Sequence, residues 1–142
     1  MAKSTPDPEL AHVLLEMCCV VEGIRGTASR ELKLTPQQSQ LLTAVAEREL
    51  THGELAARLH CDKTNVTGLV DRLERRDLVR RRPDPNDRRA TRVHLTDQGT
   101  ELVVRFRDAV TAAIETRLVS WPSDRRARLA DLAQTATEAL RS

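Results

Sequence analysis

The sequence predicts a mainly α-helical fold with one short β-hairpin. Apolar residues recur every three or four positions along most of the chain, which is the period of helices with one buried face. Three segments open on a Thr or Asp that can cap a helix. Residues 78–95 instead form two β-type runs around a turn rich in Pro and Asp. A length of 142 residues suits a single domain, residues 1–142.

Composition excludes several classes of protein. The chain has no apolar run of the roughly 20 residues that span a membrane, and its first residues lead into no signal-peptide core, so we expect a cytoplasmic protein. Cys18, Cys19 and Cys61 lack the spacing of a disulfide framework and are expected to be reduced. Histidines and cysteines do not converge at metal-ligand spacing, and no catalytic or phosphate-binding motif is present. We therefore expect no metal, no cofactor and no enzymatic activity.

The first predicted helix has a narrow apolar stripe over residues 10–28. Its apolar positions alternate in steps of four and three, at Leu10, Leu14, Met17, Val21, Ile24 and Ala28. This spacing favours packing against another helix. Gly23 and Gly26 interrupt the pattern, so the helix either bends there or lets another backbone approach closely.

Three capped helices follow. Thr35 precedes a proline, with Gln three residues after the cap, which predicts a helix over about 36–47. Thr51 repeats the capping-box spacing and begins a short helix that ends near His60. Asp62 caps a further helix that runs to about Arg76. The last two helices of this group therefore flank a turn of three or four residues.

The rest of the chain is predicted as a hairpin and two long helices. Residues 78–82 and 90–95 are the strands, with a turn at 83–87. A helix from about 97 to 118 ends where Pro122 interrupts the pattern, and a final helix covers about 123–140. The short helix pair followed by a hairpin describes a winged helix-turn-helix, in which the second helix enters the DNA major groove.

Charge is concentrated in the same part of the chain. Residues 63–92 carry 10 basic and 5 acidic side chains, whereas residues 1–62 carry 6 and 9. A basic run can be only a solvated surface, or can bind nucleic acid. When the apolar residues of 62–76 face inward, the opposite face and its flanks hold Lys63, Thr64, Asn65, Thr67, Gly68, Asp71 and Arg72.

Several recognition modes remain open for this face. Thr64 and Thr67 can touch a thymine methyl group or donate to a phosphate, and Asn65 can pair with adenine. Asp71 can accept from cytosine or hold Arg75 one helical turn later. Gly68 favours close approach of the helix to DNA. The candidate wing residues for a narrow minor groove are Arg82, Arg88, Arg89 and Arg92. Alternatively, the basic wing protects a short sheet edge from aggregation.

Four segments of the sequence resemble the MarR family of bacterial transcription regulators. They are Leu34-Thr35-Pro36-Gln37, Glu54-Leu55-Ala56, the run from Val66 to Glu74, and Asp87-Arg88-Arg89-Ala90 followed by Val93-His94-Leu95-Thr96. The resemblance implies a winged helix-turn-helix lobe over residues 34–96 that binds double-stranded DNA at a pseudo-palindromic operator, more often as a repressor. It also implies that Asp87 braces the wing and that Arg88 or Arg89 enters the minor groove. Asp77 and His60 stand where the family often has glycine, and these two differences bear on the geometry of the turns.

The resemblance further implies a homodimer formed by residues 8–32 and 97–141. The unpaired apolar stripes agree with this, and the dimerisation residues would include Leu10, Leu14, Met17, Val110, Ile114, Leu129, Leu132 and Leu140. Relatives commonly bind a small organic effector, for which the sequence identifies no residues here, or sense oxidants through cysteine. Cys18 and Cys19 lie where a peroxide sensor places its thiol, but the chain lacks the tyrosines that such sensors use. The competing function is a winged-helix module that binds an acidic protein.

Overall fold

A computed structural model describes residues 7–141. The elements of the described chain are α1 (Pro8–Glu31), α2 (Pro36–Glu47), β1 (Leu50–Thr51), α3 (His52–Leu59), α4 (Lys63–Arg75), β2 (Val79–Pro83), β3 (Thr91–Leu95), α5 (Asp97–Arg117) and α6 (Ser123–Leu140). They form two compact units that divide after Val110, inside α5. The mainly helical fold class is thereby confirmed. No helix within residues 7–141 combines the length and the apolar character needed to cross a membrane.

The predicted caps begin the three central helices. Thr35 Oγ1 accepts from the Gln38 amide at 3.2 Å, and the Gln38 side chain accepts from the Thr35 amide at 3.0 Å. Thr51 Oγ1 accepts from the Glu54 amide at 3.2 Å. Asp62 Oδ1 accepts from the Asn65 amide at 2.8 Å. These bonds satisfy amides that have no partner within a helix, and they fix where α2, α3 and α4 start.

Besides Lys33 after α1, which has φ 56°, two turns adopt a left-handed backbone without glycine. His60, after α3, has φ 53°, and Asp77, after α4, has φ 58°. Both turns close as helix ends normally do, with Cys61 N bonded to Ala56 O and Leu78 N bonded to Leu73 O, each at 3.0 Å. The departures from glycine therefore leave the turn geometry intact, at a conformational cost.

The sheet has one strand more than the sequence predicts. β2 and β3 form the expected antiparallel hairpin, with Arg81 opposite Val93. β1 adds to the other edge of β3, pairing Leu50 with Val93 and Thr51 with Arg92, so the strand order is β1-β3-β2. The prediction of a two-stranded wing was therefore incomplete. β1 has only two residues, too few to show an alternation of apolar and polar side chains, so the sequence pattern does not predict it.

The first unit, residues 1–110, has a core between its helices and the sheet. Fully buried side chains come from each layer, at Leu41, Leu42, Leu50, Leu55, Val66, Val70, Leu73, Val79 and Val93. Gly99 at the start of α5 lets that helix approach the sheet, because a Cβ there would overlap the Leu78 carbonyl oxygen. The apolar side of α4 packs into this same core, which holds the helix in place.

α1 and α6 keep large apolar side chains exposed. On α1 the only buried residues are Ile24, Ala28 and Ser29, all near its C-terminal end. Gly23 and Gly26 lie inside α1, which continues as one helix from Pro8 to Glu31. In the second unit, none of the eighteen residues of α6 is buried.

Candidate nucleic-acid interface

α4 presents a polar face opposite the core. Its buried residues are Val66, Leu69, Val70 and Leu73. The residues predicted to face DNA are exposed at Lys63, Thr64, Asn65, Thr67 and Arg72, and partly exposed at Gly68 and Asp71. The division into two faces follows the helical period in the sequence.

Gly68 leaves a gap in the middle of this face. An added Cβ would have no heavy atom within 4 Å, other than its own helix backbone and chain neighbours. The packing of the protein therefore does not require glycine at this position. Glycine in a helix interior costs stability, so an external partner is a better reason for it than the fold.

Thr67 contacts a histidine that the sequence analysis did not assign to the site. Its hydroxyl donates to Lys63 O at 2.9 Å, and its Oγ1 lies 3.4 Å from His52 Nδ1. His52 is half-buried at the start of α3, and burial and the nearby Arg81 guanidinium lower its pKa from 6.5. A neutral imidazole therefore lies against the polar face of α4 at pH 7.

Asp71 and Glu74 bind one guanidinium together. Both carboxylates hydrogen-bond Arg81 of β2, which ties successive turns of α4 to the sheet. The hydrogen bond from Arg81 lowers the pKa of Asp71, so this carboxylate stays ionised. Within the protein, Asp71 pairs with Arg81 and not with Arg75, while the contact with cytosine stays a prediction. Sequence spacing carries no signal for this contact between elements.

Most arginines of the wing pair with carboxylates. Arg80 pairs with Asp77, Arg82 Nε donates to Glu49 at 3.0 Å, and Arg92 Nε donates to Asp84 at 3.0 Å. Within residues 7–141, by contrast, the side chains of Arg88 and Arg89 form no ion pair. Two of the four predicted wing cations, Arg82 and Arg92, are therefore compensated by carboxylates of the protein.

The turn of the wing is braced at two aspartates. Asp87 Oδ1 accepts from the Arg89 amide at 2.9 Å, and Asp87 O accepts from the Ala90 amide at 3.0 Å. Asp84 is 8% exposed and accepts from the Asn86 amide at 2.8 Å, besides its bond to Arg92. The Asn86 amide is the main cause of the lowered pKa of Asp84. Asp84 is a brace that the sequence analysis missed.

Two open grooves flank these elements in the first unit. One of about 440 Å³ lies between the wing and the start of α3, and its lining includes His52, Gly53, Lys63 and Arg89. The other, of about 460 Å³, is lined by Arg25 of α1, by α2, and by Arg58 and His60 at the end of α3. In that groove Arg58 pairs with Glu47 at 2.5 Å.

The three cysteines of the described chain, residues 7–141, are free thiols. No group of three or more His, Cys, Asp or Glu side chains within residues 7–141 is placed to hold a metal ion. Cys18 and Cys19 are exposed free thiols on α1, and Cys61 is a half-buried free thiol in the turn after α3.

The helix pair α3–α4 with its three-stranded wing defines a winged helix-turn-helix protein. Residues 32–90, which contain the helix pair, β1 and β2 but not β3, match the model of the MarR family. Over this segment the chain is similar to the MarR family. The resemblance that the sequence motifs indicate is thereby confirmed for residues 32–90.

Solved structures share the architecture over almost the full chain. A MarR family protein from Bacillus stearothermophilus superposes with a TM-score of 0.86 at 21% identity, covering 95% of each chain. The transcriptional regulator Tm0710 from Thermotoga maritima gives a TM-score of 0.77 at 27% identity, covering 95% of this chain and 96% of its own. The first of these likenesses shows the fold alone.

Curated relatives match over a shorter stretch. The exopolysaccharide II synthesis transcriptional activator ExpG of Rhizobium meliloti is 32% identical over 91 residues, or 64% of this chain and 46% of ExpG. The HTH-type transcriptional repressor NicR of Pseudomonas putida is 39% identical over 69 residues, or 45% of this chain and 42% of NicR. The chain thus spans less than half the length of these relatives.

Proposed function

We propose that this chain is a sequence-specific DNA-binding transcriptional regulator that acts as a homodimer on an inverted repeat. α4 reads the major groove of each half-site, and the tip of the wing enters the neighbouring minor groove. The observation that carries the proposal is the juxtaposition of the polar face of α4 with a wing tip whose arginines form no ion pair among residues 7–141. The relatives named as transcriptional regulators support the same class of function.

The distribution of paired and unpaired charge favours DNA over a solvated surface. Lys63 and Arg72 on α4, like Arg88 and Arg89 at the wing tip, form no ion pair among the described residues. The arginines at the root of the wing are instead bound by acidic side chains. A surface that is only solvated does not require its paired and unpaired charges to be separated in this way. Binding to a phosphate backbone benefits from unpaired cations, because each neutralised phosphate releases counterions.

A second copy of the chain is the proposed partner of the exposed apolar faces. Leu10 on α1 is 55% exposed, while Leu132 and Leu140 on α6 are 67% and 75% exposed. Leu14 and Ile114 are half-buried, as is Val110. Monomeric proteins seldom expose such apolar faces. We assign residues 8–32 and 97–141 to dimerisation and residues 34–96 to DNA binding.

Release by a small organic effector is the regulatory part of the proposal. The groove at Arg25, Arg58 and His60 has the volume of a small-molecule site. Its two arginines pair with Glu22 and Glu47, so an anionic effector would have to compete with those carboxylates. The groove lies between α1, assigned to dimerisation, and α3, assigned to DNA binding. We propose repression as the sign of regulation, as for NicR, and expression from a reporter downstream of the bound sequence tests that sign.

The decisive experiment selects bound sequences from a random duplex library at two salt concentrations, with the mass of the protein measured in solution. We expect an enriched inverted repeat, half-sites about one helical turn apart, and a dimer. Arg89→Ala should weaken all sequences alike and reduce the salt slope by about one. The matched control is Arg80→Ala, since Arg80 is already paired with Asp77.

Two outcomes would overturn the proposal. Weak binding without base preference, or a monomer in solution, would favour the module that binds an acidic protein. If Arg89→Ala and Arg80→Ala both bind like the parent, the wing tip does not contact DNA.

A further inference from the structure

Resting on the proposed function, we infer that Thr67 determines specificity by apolar contact with the 5-methyl group of a thymine. Its hydroxyl takes no part in reading the base. Sequence alone left a methyl contact and a phosphate hydrogen bond equally open, and the contacts of Thr67 decide between them.

The hydroxyl of Thr67 is engaged inside the protein. A threonine hydroxyl has one proton to donate, and here it goes to Lys63 O at 2.9 Å, one turn earlier in α4. The contact of 3.4 Å between Oγ1 and His52 Nδ1 then requires the imidazole to be the donor. His52 meets that requirement as the neutral tautomer that carries its proton on Nδ1. No proton remains on Thr67 for a phosphate oxygen.

The surroundings of Thr67 leave its methyl group available for contact with DNA. Thr67 is exposed on the face of α4 that points away from the core. Next to it, Gly68 has no side chain, and Asp71 is bound by Arg81. Beside Thr67 this face therefore has no long side chain, and the charge of Asp71 is paired within the protein. The thymine methyl group is the apolar feature of the major groove.

The test uses the duplex obtained by selection, with each thymine replaced in turn by deoxyuridine, which lacks only the methyl group. We expect one thymine in each half-site whose replacement weakens binding by about fourfold, the worth of one methyl group removed from water. Thr67→Val keeps the methyl group in the same shape, so it should bind within about twofold of the parent and still distinguish the two bases. Thr67→Ser should bind both duplexes alike.

A matched control lies one turn earlier on the same face. Within the described chain the hydroxyl of Thr64 has no hydrogen-bond partner, so Thr64→Val removes a hydroxyl that is free to meet DNA. It should leave the discrimination at the thymine assigned to Thr67 unchanged. Thermal unfolding of each variant checks that the fold is retained.

Two results would overturn the inference. If Thr67→Val loses about tenfold or more while deoxyuridine has no effect, the hydroxyl oxygen accepts from a base amino group instead. If neither the variants nor deoxyuridine change binding, Thr67 reads nothing. Failure to select any duplex would instead overturn the proposed function. The selection therefore tests the proposed function, and the variants and deoxyuridine duplexes test the role of Thr67.

Discussion

The substitution Gly68→Ala is expected to have opposite effects on the stability of the fold and on the affinity for DNA. Glycine in a helix interior is less favourable than alanine by about 1 kcal/mol. The added Cβ would meet no heavy atom within 4 Å beyond its own helix backbone and chain neighbours, so no clash offsets the gain. We expect the free energy of unfolding to rise by about 0.5–1 kcal/mol, measured by urea denaturation.

The same substitution should weaken DNA binding. In the proposed complex the new methyl group stands between α4 and the floor of the major groove, where the glycine lets the helix approach. Overpacking of a close-fitted contact costs about 1–3 kcal/mol, which corresponds to a loss of about five- to 150-fold in affinity. A titration of the selected duplex with the parent and the variant measures it. A protein more stable than the parent that binds less tightly is the expected combination.

Gly99→Ala is the matched control, with the opposite expectation. Its Cβ would overlap the Leu78 carbonyl oxygen and lie 3.2 Å from Leu95 Cδ2, so the variant should be destabilised. If Gly68→Ala also lowers stability, the space around Gly68 has been misjudged. If Gly68→Ala binds the duplex as tightly as the parent, the helix does not approach DNA closely at this residue.

Three further predictions concern the side chains that brace the interface. Arg81→Gln leaves two carboxylates of α4 uncompensated beside the DNA, so affinity should fall roughly tenfold at low salt and less at high salt, measured by titration at both. His52 has a folded pKa below 6.5, so the unfolded chain binds more protons below that pH, and the free energy of unfolding should fall as pH drops from 7 toward the folded pKa. Denaturation of His52→Gln should show a flatter profile. Asp84 has a folded pKa below 3.8, so its contribution exists above that pH and is lost as pH falls through the folded pKa. Asp84→Asn weakens the hold on Arg92, and the wing amides should exchange hydrogen faster than in the parent.

Each of these three predictions has an outcome that would contradict it. Equal losses for Arg81→Gln at both salt concentrations would mean that packing, not charge, links α4 to β2. A pH profile of His52→Gln that matches the parent would assign the pH dependence to another group. Unchanged exchange in Asp84→Asn would leave Asp87 as the residue that orders the turn.

Local chemistry made most of the fold predictable. Thr35, Thr51 and Asp62 cap helices through bonds to residues three positions later, and such contacts are visible in a sequence. The faces of α4 follow from one periodic pattern. Contacts between elements have no such signature. The pairing of Arg81 with α4 spans 7 and 10 residues, and the half-buried position of His52 depends on how α3 lies against α4, so neither was predictable.

Thr51 joins the wing to the helix pair without a hinge. The residue is the last of β1, where it pairs with Arg92, and it is also the cap of α3. Any swing of the wing about its root would break either the strand pairing or the cap. The distance between α4 and the wing is therefore set by the fold. In the proposed complex, a duplex whose minor groove lies at a different distance from the major groove would have to deform, so the geometry of a site would affect binding as well as its bases.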